Sequence, residues 1–150
     1  ADFYGLEGSA SWLLYDDPNG LGTLDLGLVG DVIRGRNLDV GSEPLPRMPA
    51  ARLGFELTWQ SERWTGSLET RYVFAQKRTA PFPTAELPTD DYLMVNAAVT
   101  WLPVEDWENL SWSLKLNNLL DVEARNHTSF RKDSNPLAGF GISTEVKWVF

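Results

Sequence analysis

The feature that most constrains this chain is a polarity that alternates residue by residue, seen most clearly at its end. Along Phe140-Gly141-Ile142-Ser143-Thr144-Glu145-Val146-Lys147-Trp148-Val149-Phe150, the residues Phe140, Ile142, Val146, Trp148 and Phe150 share one side, and Thr144 alone interrupts the apolar series. Gly141, Ser143, Glu145 and Lys147 share the other. Successive side chains of an extended strand point to opposite faces, so this pattern specifies a sheet with one apolar and one polar side.

The pattern recurs six more times. Residues 3–15 set Tyr4, Leu6, Gly8, Ala10, Trp12 and Leu14 against Gly5, Glu7, Ser9 and Ser11. Residues 22–35 set Leu24, Leu26, Leu28 and Val32 against Thr23, Asp25, Gly27 and Asp31. Further strands are expected at 51–60, 64–76, 91–102 and 109–120, the last reading Leu110-Ser111-Trp112-Ser113-Leu114-Lys115-Leu116-Asn117. The connections run short, long, short, long, short, long, with compact turns at Asp16-Asp17-Pro18-Asn19-Gly20, Ser61-Glu62-Arg63 and 103–108. Loop lengths that segregate by end are the layout of an antiparallel up-and-down transmembrane β-barrel, with short periplasmic turns and long external loops. A soluble sandwich gives no reason for that segregation.

Composition narrows the field. No apolar run approaches the roughly 18 residues of a spanning helix, whereas barrel strands need only about 9–11. A net charge of −8 argues against a nucleic-acid surface, which needs clustered Lys and Arg. With no Cys there is neither a disulfide framework nor a thiolate metal site. The chain starts at Ala1 in a strand-like stretch with no signal-peptide features, so a segment of a longer protein is expected.

The polar side would carry Glu7, Asp25, Asp31, Glu56, Glu69, Arg71, Lys115, Asn117, Glu145 and Lys147. In a dry core each unpaired ion would cost several kcal/mol. A wet lumen removes the conflict and turns the apolar side to lipid. All seven tryptophans, Trp12, Trp59, Trp64, Trp101, Trp107, Trp112 and Trp148, fall near the short turns or the terminus. Indole favours the hydrocarbon–water boundary, so one-ended clustering reads as an aromatic girdle. Open edges are prohibitive in hydrocarbon, and seven strands therefore need partners from outside this segment. A soluble lipocalin-like binding barrel, with the faces reversed, is the alternative.

At Leu116-Asn117-Asn118-Leu119-Leu120-Asp121 and the terminal Phe150 the sequence resembles TonB-dependent outer-membrane receptors. The stretch from Glu123 to Asp133 is similar to the last external loop of a subfamily associated with zinc acquisition. Leu45-Pro46-Arg47-Met48-Pro49 and the segment from Thr89 to Ala97 are similar to strand entries there. Pro136-Leu137-Ala138-Gly139-Phe140 departs from that subfamily's pattern. The resemblance implies the C-terminal part of a plugged barrel of about 22 strands in a Gram-negative outer membrane. It implies uptake of zinc, an iron complex or another scarce metal species. It also implies a plug domain outside this chain, the TonB energy-transducing complex as partner, and barrel-assembly machinery engaging the terminal strand. No cofactor is expected.

His127, the single His, and Glu123 have suitable donor atoms for zinc, but two ligands do not complete a site. The alternative is a His that hydrogen-bonds locally and fixes its loop. Asp90 and Asp91 could attract cations or simply solvate a strand entry. Glu69, Arg71, Lys115 and Glu145 could contact a plug or line a transport path. No Gly-x-Ser-x-Gly elbow and no strand-borne Ser/His pair is present, so an enzyme, such as a small outer-membrane barrel hydrolase, is not expected.

Overall fold

The computed structural model describes residues 1–17, 20–39, 41–81, 85–103 and 109–149. Seven long strands appear: β1 (Asp2–Asp17), β2 (Gly22–Asn37), β4 (Arg52–Gln60), β5 (Trp64–Val73), β6 (Tyr92–Trp101), β7 (Leu110–Asn117) and β8 (Gly141–Trp148). A two-residue strand, β3 (Glu43–Pro44), pairs with the top of β2 inside the first long loop. All belong to one sheet in the order β1-β2-β4-β5-β6-β7-β8, and every pairing is antiparallel. The fold class expected from the alternation is the one observed.

Among the described residues nothing packs across this sheet as a second layer. Leu6 is 79% exposed, Leu53 55% and Trp148 66%, and among the described residues the buried apolar ones are Ala50, Val73, Ala80 and Ala124. A sandwich or lipocalin would have put the leucines in a dry interior. The alternation therefore reports a single sheet with one apolar and one polar face.

Three boundaries differ from the sequence reading, each for a local reason. In β1 the register shifts between Leu13 and Tyr15, so Tyr15, not Leu14, lies opposite Leu24 on the apolar side. One extra residue in a strand inverts the phase of everything after it. β7 stops at Asn117, not residue 120, because Asn118 adopts a left-handed conformation with φ 50°. β5 ends at Val73; beyond it Phe74 N still donates to the Ala51 carbonyl at 2.9 Å, and Gln76 then bridges to Thr89. At the opposite end, Gly22 has φ 94° and passes so close to the Gln60 carbonyl that a Cβ would lie 2.0 Å from its oxygen. Only glycine fits there.

Candidate functional site: the polar face and the loop junction

All ten charged or amide residues assigned to the lumen share one face in the observed register. Glu7 pairs with Asp31 and Asp31 with Arg52; Glu56 pairs with Glu69, and Glu69 with Asn96. Asp25 is on the rung of Thr58, Lys115 on that of Ser143, Ser113 on that of Glu145, Ser111 on that of Lys147, and Asn117 on that of Gly141. Asp31 accepts from Arg52 Nε at 2.9 Å, and Glu69 accepts from Arg71 at 2.6 Å and from Asn96 Nδ2 at 3.2 Å. The facing carboxylates of Glu56 and Glu69 are thereby kept tolerable, since like charges directly across a sheet repel.

The apolar face carries the tryptophans in a diagonal. The Trp12 rung runs through Leu26, Leu57, Leu68, Ala97 and Leu116 to Ile142. Trp59 lies two residues beyond that rung on β4; Trp64, Trp101 and Trp112 lie four beyond it on β5, β6 and β7. Trp148 lies six beyond it on β8. A drift of six residues over six strand-to-strand steps corresponds to a tilt of about 35°, from a rise of about 3.3 Å per residue and a spacing of about 4.8 Å. Strands of transmembrane barrels tilt by about 35–45°, so a level line across such a wall must descend the register in this way. The indoles also find polar partners: Trp59 Nε1 donates to the Leu21 carbonyl at 2.7 Å, and Trp112 Nε1 to Thr144 Oγ1 at 2.7 Å. Trp107 lies outside the described residues. At the opposite end, which the tryptophans did not signal, Tyr4, Tyr72 and Phe74 form a second group, with Tyr72 and Phe74 edge to face at 4.8 Å.

The long loops meet above the polar face at Glu86. Its carboxylate accepts from Arg47 N at 3.0 and 3.2 Å and from Ala80 N at 3.4 Å. Its Oε1 also lies 3.4 Å from His127 Nε2, outside hydrogen-bond geometry. His127 Nδ1 shares a 3.0 Å hydrogen bond with Thr89 Oγ1. Lys132, also buried, donates to the Leu87 carbonyl, and Arg125 donates to the Lys132 carbonyl at 2.6 Å. Arg47 stacks on Phe130, 3.3 Å from the ring centroid. Contacts among residues 47, 86 and 127 thus join all three long loops.

The His127 side chain is 1% exposed, and burial lowers its pKa below the usual value, with the nearby Glu86 charge opposing that shift. Glu123 is elsewhere: its side chain is 67% exposed and its Oε1 is held by Arg125. Among the described residues, no group of three or more His, Cys, Asp or Glu is placed to hold a metal ion. The Thr89–His127–Glu86 order superficially resembles a nucleophile relay. Thr89 is buried, however, and the cavity of about 240 Å³ beside His127 is lined by Arg52, Arg71, Tyr92, Asn126 and Thr128. Asp91, at the entry to β6, accepts from Tyr72 Oη at 2.5 Å.

The Asn-Leu-Leu-Asp stretch acquires a physical role. Asn118 is almost fully buried; its Nδ2 donates to the carbonyls of Val122 at 2.9 Å and Ala138 at 3.1 Å, and its Oδ1 accepts from Val122 N at 3.0 Å. Asp121 Oδ1 accepts from Phe140 N at 2.8 Å. Two side chains three residues apart therefore pin the exit of β7 to the entrance of β8. Leu119 and Leu120 are exposed.

A single antiparallel sheet with one apolar and one polar face, short turns at one end and joined loops at the other is a section of β-barrel wall. The chain belongs to the family described as TonB dependent receptor-like, beta-barrel, whose model matches residues 1–119. Among solved structures it is similar to the copper transporter OprC, with a TM-score of 0.77 at 20% identity. That likeness covers 97% of this chain and 23% of OprC, so the chain spans about a quarter of that protein's length.

Proposed function

We propose that this chain is the C-terminal wall of a TonB-dependent receptor in a Gram-negative outer membrane, and that the whole protein takes up a scarce metal or metal complex. The observation that carries this reading is the tryptophan diagonal, whose slope matches the tilt of a membrane barrel while the ten polar residues named above take the opposite face. In this reading the apolar side meets lipid and the ten polar residues meet a wet lumen filled by a plug domain. β1 and β8 are the edges of this sheet, and strands from the remainder of the protein close the barrel against them. Family membership supports energy coupling through a plug and the TonB complex, and transport in place of catalysis. The terminal strand is the handle for barrel assembly.

Zinc is supported by the likeness of residues 123–133 to a zinc-acquisition loop. Copper enters as a candidate through the name of the structural neighbour, and an iron chelate is the third. In this reading His127 holds the loop junction, while exposed Glu123 is the member of the sequence-derived pair that cargo reaches. The deciding experiment deletes the gene for the full-length protein and compares growth and metal uptake under separate zinc, copper and iron limitation. A defect confined to one metal, restored by the intact gene, is the expected result. Normal uptake of all three would refute the proposal.

A further inference from the structure

Arg34 interrupts the apolar side of β2. Leu24, Leu26, Leu28 and Val32 run up that side until Arg34, which lies opposite Tyr4. Leu26 shares the Trp12 rung, and Arg34 is eight residues loopward of it on β2. Eight residues span about 27 Å of strand, or about 22 Å along the membrane normal at a tilt of about 35°. The apolar band of such barrels is about 25 Å tall, so Arg34 stands where acyl chains give way to headgroups.

The same level reaches β5 at Phe74. Arg34 is four residues loopward of Gly30, whose rung includes Leu53 and Tyr72; the diagonal descends about two residues over those two strands. Phe74 is two beyond Tyr72, and Lys77 and Arg78 follow it. Arg34, Lys77 and Arg78 line one cleft of about 300 Å³ with Phe74, Met48 and Pro49. All three cations are exposed. Among the described residues the side chains of Arg34 and Arg78 have no hydrogen bond or ion pair, and Lys77 is within electrostatic reach of Asp91. Arg36 differs, being paired with Asp2 at 2.9 Å and placed over the Tyr4 ring. A chain of net charge −8 thus concentrates three cations at the outer edge of its apolar face, two of them uncompensated.

We propose that this cleft clamps the phosphorylated headgroup of an outer-leaflet lipid whose acyl chains lie along the apolar side of β2 and β5. Guanidinium groups bind phosphate through paired N–H donors, and the apolar lining of Phe74, Met48 and Pro49 suits the glycerol or sugar backbone and first methylenes. The clamp rests on the membrane orientation proposed above.

The test places the full-length protein that carries this chain in phosphatidylcholine nanodiscs doped with diphosphoryl lipid A, or with the same lipid stripped of phosphate. Native mass spectrometry then counts retained lipid. Retention of the diphosphoryl form alone is expected, falling about fivefold for Arg34→Gln and about a hundredfold when Lys77→Gln and Arg78→Gln are added. Arg34→Lys, which keeps the charge but not the paired N–H donors, should retain more lipid than Arg34→Gln and less than the native protein, and each single exposed substitution can be read if the triple variant fails to fold. Equal retention of both lipids, or a folded triple variant that binds normally, would overturn the clamp. So would displacement of the lipid by inorganic phosphate at equal concentration, which would mark a site for soluble anions. A protein that needs no detergent would instead sink the membrane reading itself.

Discussion

Trp64 on β5 and Trp101 on β6 are register partners, and their rings stack with centroids 5.6 Å apart and 18° between planes. Trp112 is the next partner on the same rung. Three indoles side by side on an exposed apolar face make little sense in water. Indole rings in such a strip favour a bilayer boundary, where the ring stays in hydrocarbon and the N–H finds a polar partner, as Trp112 does at Thr144 Oγ1.

This strip should be read directly by depth-dependent quenching. In vesicles, lipids brominated near the headgroup should quench fluorescence more than lipids brominated at the chain end. Trp64→Ala should weaken that signal without abolishing it and cost about 1 kcal/mol of stacking energy in urea unfolding. Stronger quenching from the bilayer centre would place the strip at the wrong depth.

Glu86 is predicted to hold the external loops together. Glu86→Ala orphans the N–H groups of Arg47 and Ala80 and should destabilise the junction by about 2–3 kcal/mol. Limited proteolysis should then cut loops 38–51 and 74–91 faster together, while Glu123→Ala, whose partner is Arg125, leaves both unchanged. Independent cleavage rates would show that the loops do not share this anchor.

The junction should also loosen in acid. Burial holds the His127 pKa below its usual value, so the neutral ring is the form the fold favours. That contribution is fully present above the unfolded pKa of about 6.5 and is lost as pH falls through the lower folded value. Amide exchange near His127, Thr89 and Glu86 should therefore accelerate between about pH 7.5 and about pH 5. The non-titrating His127→Gln should remove that dependence; an unchanged pH profile would assign it to other groups.

Asn118→Ala should be among the costliest loop substitutions. It removes three side-chain hydrogen bonds and places Ala at φ 50°, together worth about 3 kcal/mol. Asn118→Gly relieves the backbone term and should recover about 1 kcal/mol of it. Thermal unfolding of the barrel, followed by heat-modifiable gel mobility, provides the measurement. Equal stability of the Ala and Gly variants would exclude the backbone contribution.

Much of the wall was legible because β-structure writes itself into sequence with a period of two. Seven strands, their order, both faces and the segregation of turn lengths followed from that one rule. It fails where a single residue breaks the phase, as at Leu14 in the β1 bulge, or where a side chain imposes its own turn, as Asn118 does. The two-residue pairing of Glu43 and Pro44 with β2 is too short to carry a pattern. The junction was hidden for a different reason. Glu86 and His127 are 41 residues apart in loops without periodicity, and a glutamate that will be enclosed looks no different in sequence from one that will be solvated. Thr89 and Lys132 were missed for the same cause. His127 stood out because it is the single imidazole, and its observed neighbours fit the local structural role as one of the two roles the sequence offered.

The orientation of the two faces is tested most directly by site-directed spin labels, since the chain has no cysteine of its own. Single cysteines at Leu26, Leu57 and Leu68, and at Asp25, Thr58 and Ser67, sample opposite sides of adjacent strands at similar depth. In the full-length protein reconstituted in bilayers, the first set should be relaxed by oxygen and shielded from a water-soluble nickel chelate, and the second set should show the reverse. Nickel accessibility at Leu26, Leu57 and Leu68, with oxygen enrichment at Asp25, Thr58 and Ser67, would contradict a lipid-facing apolar wall around a wet lumen.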